Sequence, residues 1–279
     1  VEQQAITWLI TGGQGFLGTA LIHRIPKDHK FVVLDKVVRN ETTSSLISCD
    51  VTSQASLQRA FDRIKPQIVV HLAAVTGVER CNADPSLSFE TNVLGTFNVA
   101  LASANDSAHL IFASSREVYG ETQGENSAEA DPCHPNNFYG TTKLIGEQLI
   151  QAVAKLRGLR YTILRFTNLY GPRGDQYIVA LVVKKLLAGE SVTILGGQQT
   201  LNMLYVDDAA EAILAAAKDP NATNEIFNIG SPKEISVEEL IMRMVSHIGT
   251  EKPVLRRALR KGDTLRFVPN LLKADRLLG

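Results

Sequence analysis

Cysteine, tryptophan and net charge are scarce in this chain of 279 residues. Its three cysteines, Cys49, Cys81 and Cys133, form no Cys-x-x-Cys pair, which excludes a disulfide framework and a zinc finger and suits a reducing cytoplasm. Twenty-nine basic side chains balance 29 acidic ones, so no long basic face awaits nucleic acid or an anionic membrane. No apolar run approaches the roughly 20 residues of a membrane span, and Lys184 and Lys185 interrupt the best stretch, 179–187. Residues 1–4 lack the basic end and apolar stretch of a secretory signal, and the absence of an initial Met suggests a trimmed start. Internal repeats and low-complexity linkers are also missing. What is present is a 44% hydrophobic composition, long enough for one large domain or two small ones with a sizeable core. A soluble intracellular enzyme is the expectation.

Short apolar runs at 5–10, 31–34, 68–72, 109–113 and 161–166 read as strands covered on both faces. Helical patterns at 16–25, 53–64, 88–104 and 139–156 separate them. Strand then helix, repeated, predicts a doubly wound parallel α/β sheet. After Tyr170-Gly171-Pro172 the pieces shorten: helix at 178–188, strand at 192–195, helix at 207–217, strand at 225–229, helix at 237–248 and strand at 254–259. The expected division is a dinucleotide-binding unit of 1–170, joined by about 201–230, and an interleaved substrate-binding unit of 171–200 and 231–279.

Between the first strand and the first helix stands Thr11-Gly12-Gly13-Gln14-Gly15-Phe16-Leu17-Gly18. Glycines let the backbone turn tightly and approach a pyrophosphate, whose charge meets the helix N-terminus. Asp35 ends the next strand, 17 residues beyond Gly18, where a carboxylate accepts hydrogen bonds from both ribose hydroxyls of NAD and repels a 2′-phosphate. Lys36 and Arg39 close behind leave NADP open. Asp50 and Val51 follow a third apolar stretch, 46–49, at the adenine end; a helix N-cap is the alternative for Asp50.

Tyr139 and Lys143 lie four apart on a helix and share a face. A neighbouring ammonium and a positive nicotinamide both favour the phenolate, which can then take a proton from a sugar hydroxyl as hydride leaves the same carbon. Ser114-Ser115 ends the fourth long strand, at the rim where a parallel sheet holds its ligand. A hydroxyl there bridges substrate and Tyr139, although Ser114 alone reads better as a loop serine or helix cap.

Eight motifs then occur in order: Thr11-Gly-x-x-Gly-x-x-Gly18, His71-Leu-Ala-Ala74, Asn92-x-x-Gly95-Thr96, Ser114-Ser115-x-x-Val118-Tyr119-Gly120, Tyr139-x-x-x-Lys143, Asn168-x-Tyr170-Gly171-Pro172, Tyr205-Val206-Asp207-Asp208 and Asn228-Ile229-Gly230. Over essentially its whole length the chain resembles an extended short-chain dehydrogenase/reductase of the NAD-dependent epimerase/dehydratase family. The resemblance implies a Rossmann-like fold, NAD retained through the cycle, a nucleotide sugar oxidised transiently at C4, and a homodimer built from helices 88–104 and 139–156. It implies Ser115 and Tyr139 at the C4 hydroxyl, with Lys143 holding the nicotinamide ribose. Gly12, Gly15, Phe16, Leu17, Gly18, Asp35, Asp50, Val51, Leu72, Ala73, Ala74 and Asn92 fall beside the cofactor. Thr76, Glu117, Asn168, Arg173 and Arg260 fall beside the substrate.

Two departures stand out. Leu201 replaces the arginine that grips the substrate diphosphate in the family, and an apolar side chain hardly replaces that fork; either another cation, such as Arg173 or Arg260, takes over, or the usual substrate is not bound in the usual way. Arg116 stands where glucose-type dehydratases keep an acid, and it cannot donate a proton at physiological pH. The chain also stops at 273–279, where members commonly continue. The leading expectation is a nucleotide-sugar 4-epimerase. The alternatives are a decarboxylase or 4,6-dehydratase using Glu117, a 4-ketoreductase, and a non-catalytic NAD-binding sensor.

Overall fold

The computed structural model describes residues 5–37, 45–122, 126–249, 254–259 and 264–279. Arg39 and Arg260, both singled out above, lie outside these residues. In chain order the first half comprises β1 (Thr7–Thr11), α1 (Phe16–Ile22), β2 (Lys30–Asp35), β3 (Leu46–Ser48), α2 (Gln54–Ile64), β4 (Ile68–His71), α3 (Val78–Ala83), α4 (Pro85–Phe89), α5 (Gly95–Asn105), β5 (His109–Ser115) and β6 (Asn126–Ser127). The second half comprises α6 (Phe138–Arg157), β7 (Arg160–Phe166), β8 (Asn168–Tyr170), α7 (Ile178–Leu187), β9 (Val192–Leu195), β10 (Thr200–Tyr205), α8 (Val206–Lys218), β11 (Glu225–Ile229), β12 (Glu234–Ser236), α9 (Val237–Ile248), β13 (Val254–Arg257), β14 (Val268–Pro269) and α10 (Leu272–Leu278).

Seven strands form one parallel sheet in the order β11-β7-β5-β4-β1-β2-β3. Alternate residues of each strand enter opposite cores, which is why the strands read as unbroken apolar runs. Leu9, Val69, Leu110 and Ile163 pack with α2, α5 and α6 on one face. Ile10, Val70, Ile111 and Leu164 pack with α1 and α8 on the other, where the C-terminal helix α10 also returns. Chain order reverses at β1, between β4 and β2, so the ligand crevice of the sheet opens at the carboxyl ends of β1 and β4.

A smaller core joins α7, α9, β9 and β13 through Val182, Leu186, Ile194 and Ile241. Beside it, β10 pairs with β8 in parallel and with β12 antiparallel. Leu201, opposite Ile235 in that ladder, is partly buried against this core, so the residue in the arginine's place is a packing residue.

The helix expected at 88–104 is two helices, α4 and α5, joined by a π-helical turn over Glu90–Leu94. A π turn inserts one residue and re-aims a side chain. Here Asn92, inside that turn, accepts from the Val75 amide at 2.8 Å and donates to Val75 O and Thr142 Oγ1, both at 3.0 Å. Its amide thus ties the loop after β4 to α6.

Candidate active site

The glycine loop fits a dinucleotide. Gly12 has φ +68°, and a Cβ there would lie 2.7 Å from the Cα of Ala73, so only glycine lets this turn press against the strand-end residues after β4. Gly15, the N-cap of α1, offers no side-chain cap to the helix amides behind it. An anion at that end is met by backbone N–H groups. Asp35 ends β2 and accepts from the Gln14 amide at 3.2 Å, and Gln14 Nε2 donates to Val37 O at 2.6 Å. Loop and acid are therefore tied together, with the carboxylate half-buried beside the loop.

Asp50 is not the helix cap. Ser53 caps α2 by accepting from Ser56 N at 3.3 Å, because it sits directly before the first helical turn. Asp50 Oδ1 instead accepts from Thr52 N and Oγ1, and its Oδ2 pairs with Lys36 Nζ at 2.8 Å. The lysine that left NADP open is thus engaged by a second carboxylate. Val51 is buried beside it and packs into the core.

His71, at the end of β4, is fully buried between two threonines. Thr96 Oγ1 donates to Asn92 O at 2.6 Å, which leaves it to accept from His71 Nε2 at 3.0 Å. His71 Nδ1 then accepts from Thr11 Oγ1 at 2.7 Å, and that assignment makes the ring neutral. Burial, with the Lys143 charge nearby, pulls its pKa down to about 3.

At the crevice end of β5, the Ser115 hydroxyl stands beside the Tyr139 phenol and favours its ionised form. Ser115 Oγ also accepts from the Glu117 amide at 3.2 Å. Lys143 Nζ lies 5.9 Å from the Tyr139 ring centroid and donates to Ala113 O at 2.8 Å. The structure thus brings Ser115, Tyr139 and Lys143 together. One expectation is corrected: protein groups alone do not favour the phenolate. Burial, then the facing Tyr177, Cys81 and Glu117, push Tyr139 well above the usual phenol range, and only the Ser115 hydroxyl works against them. Burial draws Lys143 down to about 8. The remaining pull toward phenolate has to come from a bound positive group.

Ser114 is neither a loop serine nor a cap; it is a strand residue donating to Glu147 on α6. Glu117 has both oxygens engaged. Oε1 pairs with Arg116 Nη2 at 2.8 Å, and Oε2 accepts from Asn137 Nδ2 at 2.8 Å. Asn137 caps α6 by accepting from Gly140 N at 2.9 Å. A Cβ on Gly140 would meet Glu117 O at 2.3 Å, so glycine after Tyr139 lets α6 start directly against the Ser115–Glu117 turn. Asn137 was not among the expected site residues, although an Asn two residues before a helical tyrosine is a cap signal.

Among the expected substrate contacts, Asn168 is half-buried on β8, with Thr76 in the loop after β4. Arg173 is exposed at φ +67° in the turn beyond β8. That turn leans on the glycine loop: the Tyr177 and Phe16 rings lie 4.9 Å apart, and Arg80 Nη1 donates to Gln176 Oε1 at 2.9 Å. Tyr177 carries no motif and emerges only from this packing. Among the described residues no group of three His, Cys, Asp or Glu could hold a metal, and no helix is long and apolar enough to cross a membrane.

Known proteins match the chain over nearly all of its length. The family described as NAD dependent epimerase/dehydratase matches residues 8–230. A putative UDP-glucose 4-epimerase of Methanocaldococcus jannaschii is 32% identical, the match spanning 96% of this chain and 91% of that protein. The crystal structure of a UDP-glucose 4-epimerase with UDP-glucose from Thermotoga maritima superposes with a TM-score of 0.92 at 29% identity, covering 98% of this chain and 93% of that one. A Thermus thermophilus UDP-glucose 4-epimerase in complex with NAD gives a TM-score of 0.90 at 28% identity, covering 97% and 92%. Sequence, fold and the Ser115–Tyr139–Lys143 cluster converge: the chain belongs to the NAD dependent epimerase/dehydratase family of enzymes.

Proposed function

We propose that the protein is a nucleotide-sugar 4-epimerase that holds NAD throughout its cycle. The observation that supports this most is the engagement of Glu117. Dehydration needs an acid and a base beyond the tyrosine, and a carboxylate closed between Arg116 and the cap of α6 offers neither. Epimerisation needs only Ser115, Tyr139 and Lys143. Tyr139, with Ser115 beside it, would take the C4 hydroxyl proton, and Lys143 would orient the nicotinamide ribose. When bound, NAD supplies the hydride acceptor and a positive charge that favours the phenolate. Gly12, Gly15, Phe16, Leu17 and Gly18 would cradle its pyrophosphate, Leu72, Ala73 and Ala74 would line its path across β4, and Asp35 would hold the adenosine ribose. Thr76 and Asn168 from the unit of 1–170, with Arg173 and Arg260 from the unit of 171–200 and 231–279, would contact the substrate. The test is incubation with UDP-galactose and a panel of other nucleotide sugars, read by NMR. A C4 epimer formed without net change in cofactor is expected; a stable keto sugar, CO2 release or consumed NADH overturns the reading.

Glu117→Gln is expected to retain turnover within about tenfold, since the amide oxygen still accepts from Asn137. A thousandfold loss with C4 oxidation intact would make Glu117 catalytic and favour the decarboxylase. Asp35→Ala is expected to weaken NAD by about ten- to a hundredfold and to raise the relative affinity for NADP, because a carboxylate that repels the 2′-phosphate is lost. Calorimetric titration with both cofactors checks it, and an unchanged preference removes Asp35 from the role.

A homodimer is part of the proposal. Val93 and Val153 turn into the protein's own core, but Leu87, Phe89 and Leu94 stay exposed along α4 and the π turn, beside α6. Burying these side chains in a second copy removes apolar surface from water. A monomeric mass at micromolar concentration would refute it. The free cysteines fit a reducing compartment, the cytoplasm in this reading.

A further inference from the structure

Glu147 stands outside every motif, yet only 2% of it is exposed. It follows Lys143 on α6 by one turn, as Lys143 follows Tyr139, so the three share the helix face turned to the end of β5. Three successive β5 residues meet them. Ala113 O accepts from Lys143 Nζ, Ser114 Oγ donates to Glu147 Oε1, and the Ser115 hydroxyl faces the Tyr139 phenol. Arg165, opposite Ser114 in the β5–β7 register, closes on Glu147 with Nε to Oε1 at 3.0 Å and Nη2 to Oε2 at 2.7 Å. Its Nη1 donates to Tyr119 Oη at 2.8 Å and Glu129 O at 3.1 Å, so all three guanidinium nitrogens are bonded.

Taking such a pair out of water costs several kcal/mol per ion, and well-packed apolar side chains would stabilise the core at least as well. An apolar pair, however, could neither grip a strand hydroxyl nor face Lys143 with a negative charge. The other groups facing Lys143 are Cys81 of α3 and His71 of β4. Burial keeps both neutral near pH 7, raising the thiol and lowering the imidazole. Tyr139 is faced by Tyr177, Cys81 and Glu117, and Glu117 is already paired with Arg116.

We propose that Glu147 is a positioning residue of the hydride-transfer site: through Ser114 it holds the end of β5 in register with α6, and its carboxylate faces the Lys143 ammonium. The proposal rests on the reading of Ser115, Tyr139 and Lys143 given above, and two assays keep their failures apart. The first is turnover of UDP-galactose. The second needs no sugar: cyanoborohydride reduces bound NAD, the absorbance of the reduced nicotinamide reports the rate, and its pH dependence reports the groups facing the ring.

Ser114→Ala leaves the ion pair intact and is expected to lower kcat about tenfold with KM and bound NAD little changed. Ser114→Thr, which restores the hydroxyl, should recover most of it. Glu147→Gln is expected to move the alkaline midpoint of the reduction rate down by about one pH unit, because the charge supporting the ammonium is lost. If the variants lose only melting temperature and keep wild-type kcat, KM and midpoint, Glu147 is a core ion pair and the proposal fails. Should Glu147→Gln not fold, Ser114→Ala decides by kcat: a loss that Ser114→Thr restores supports the proposal, and wild-type kcat overturns it. If no nucleotide sugar of the panel is turned over, the epimerase reading fails separately and the reduction assay still decides on Glu147.

Discussion

Tyr139→Phe is expected to lower turnover by a thousandfold or more, about 4 kcal/mol of transition-state stabilisation, while NAD stays on the protein. The substitution removes one oxygen and keeps the ring, so the packing around α6 is preserved. What disappears is the proton acceptor beside Ser115. Burial sets the direction of this argument. The phenol is held above its usual range by desolvation and by Tyr177, Cys81 and Glu117, so Tyr139 is a poor base until positive charge arrives beside it. Cofactor and base are therefore coupled: proton abstraction is enabled where hydride can be accepted. Turnover by NMR and bound NAD by absorbance check the prediction. Wild-type turnover in the variant would remove Tyr139 from the proton path, and loss of NAD in parallel would make it a cofactor-binding residue instead.

The main sheet was legible because its strands are covered on both faces. Ile68–His71 is buried throughout, and an apolar run of that length between turn signals has few other readings. The smaller sheet was not. In β10 the buried positions include Asn202, whose side chain donates to Ser231 O at 2.6 Å and accepts from Ser231 N at 2.7 Å, so a polar residue occupies a core position without apolar alternation. Helix α3 buries Cys81 and little else, which leaves no periodic apolar stripe to find. In the site, Tyr139 and Lys143 were visible because their partnership is local, one helical turn. The Glu147–Arg165 pair was not, since it depends on the register between β5 and β7 and on α6 crossing both, a property of the assembled sheet. Asn137 lies between these cases: its cap signal is local, but its bond to Glu117 is not.

Lys143→Met carries the second large effect, and its pH dependence separates it from Tyr139→Phe. Lys143 is almost fully buried, with Nζ bonded to Ala113 O and 4.8 Å from the centroid of the Phe112 ring. Burial lowers its pKa to about 8, so the ammonium predominates below that pH and the neutral amine above it. Of the two forms only the ammonium adds positive charge beside Tyr139, next to that of the bound cofactor. Wild-type activity is therefore expected to fall as pH rises through about 8. Met keeps the length and apolar packing of the stem but brings no charge. In the variant the limb should vanish, and activity should climb with pH as hydroxide takes over deprotonation of Tyr139. At neutral pH a loss of about a hundredfold or more in kcat is expected, together with about tenfold weaker NAD, because one side chain serves both the phenol and the ribose. A pH–rate profile of variant and wild type, with NAD affinity measured on the same preparations, checks both parts. A variant that keeps the limb near 8 would assign it to another group. One that loses NAD affinity but no kcat at saturating cofactor would leave Lys143 with a binding role alone.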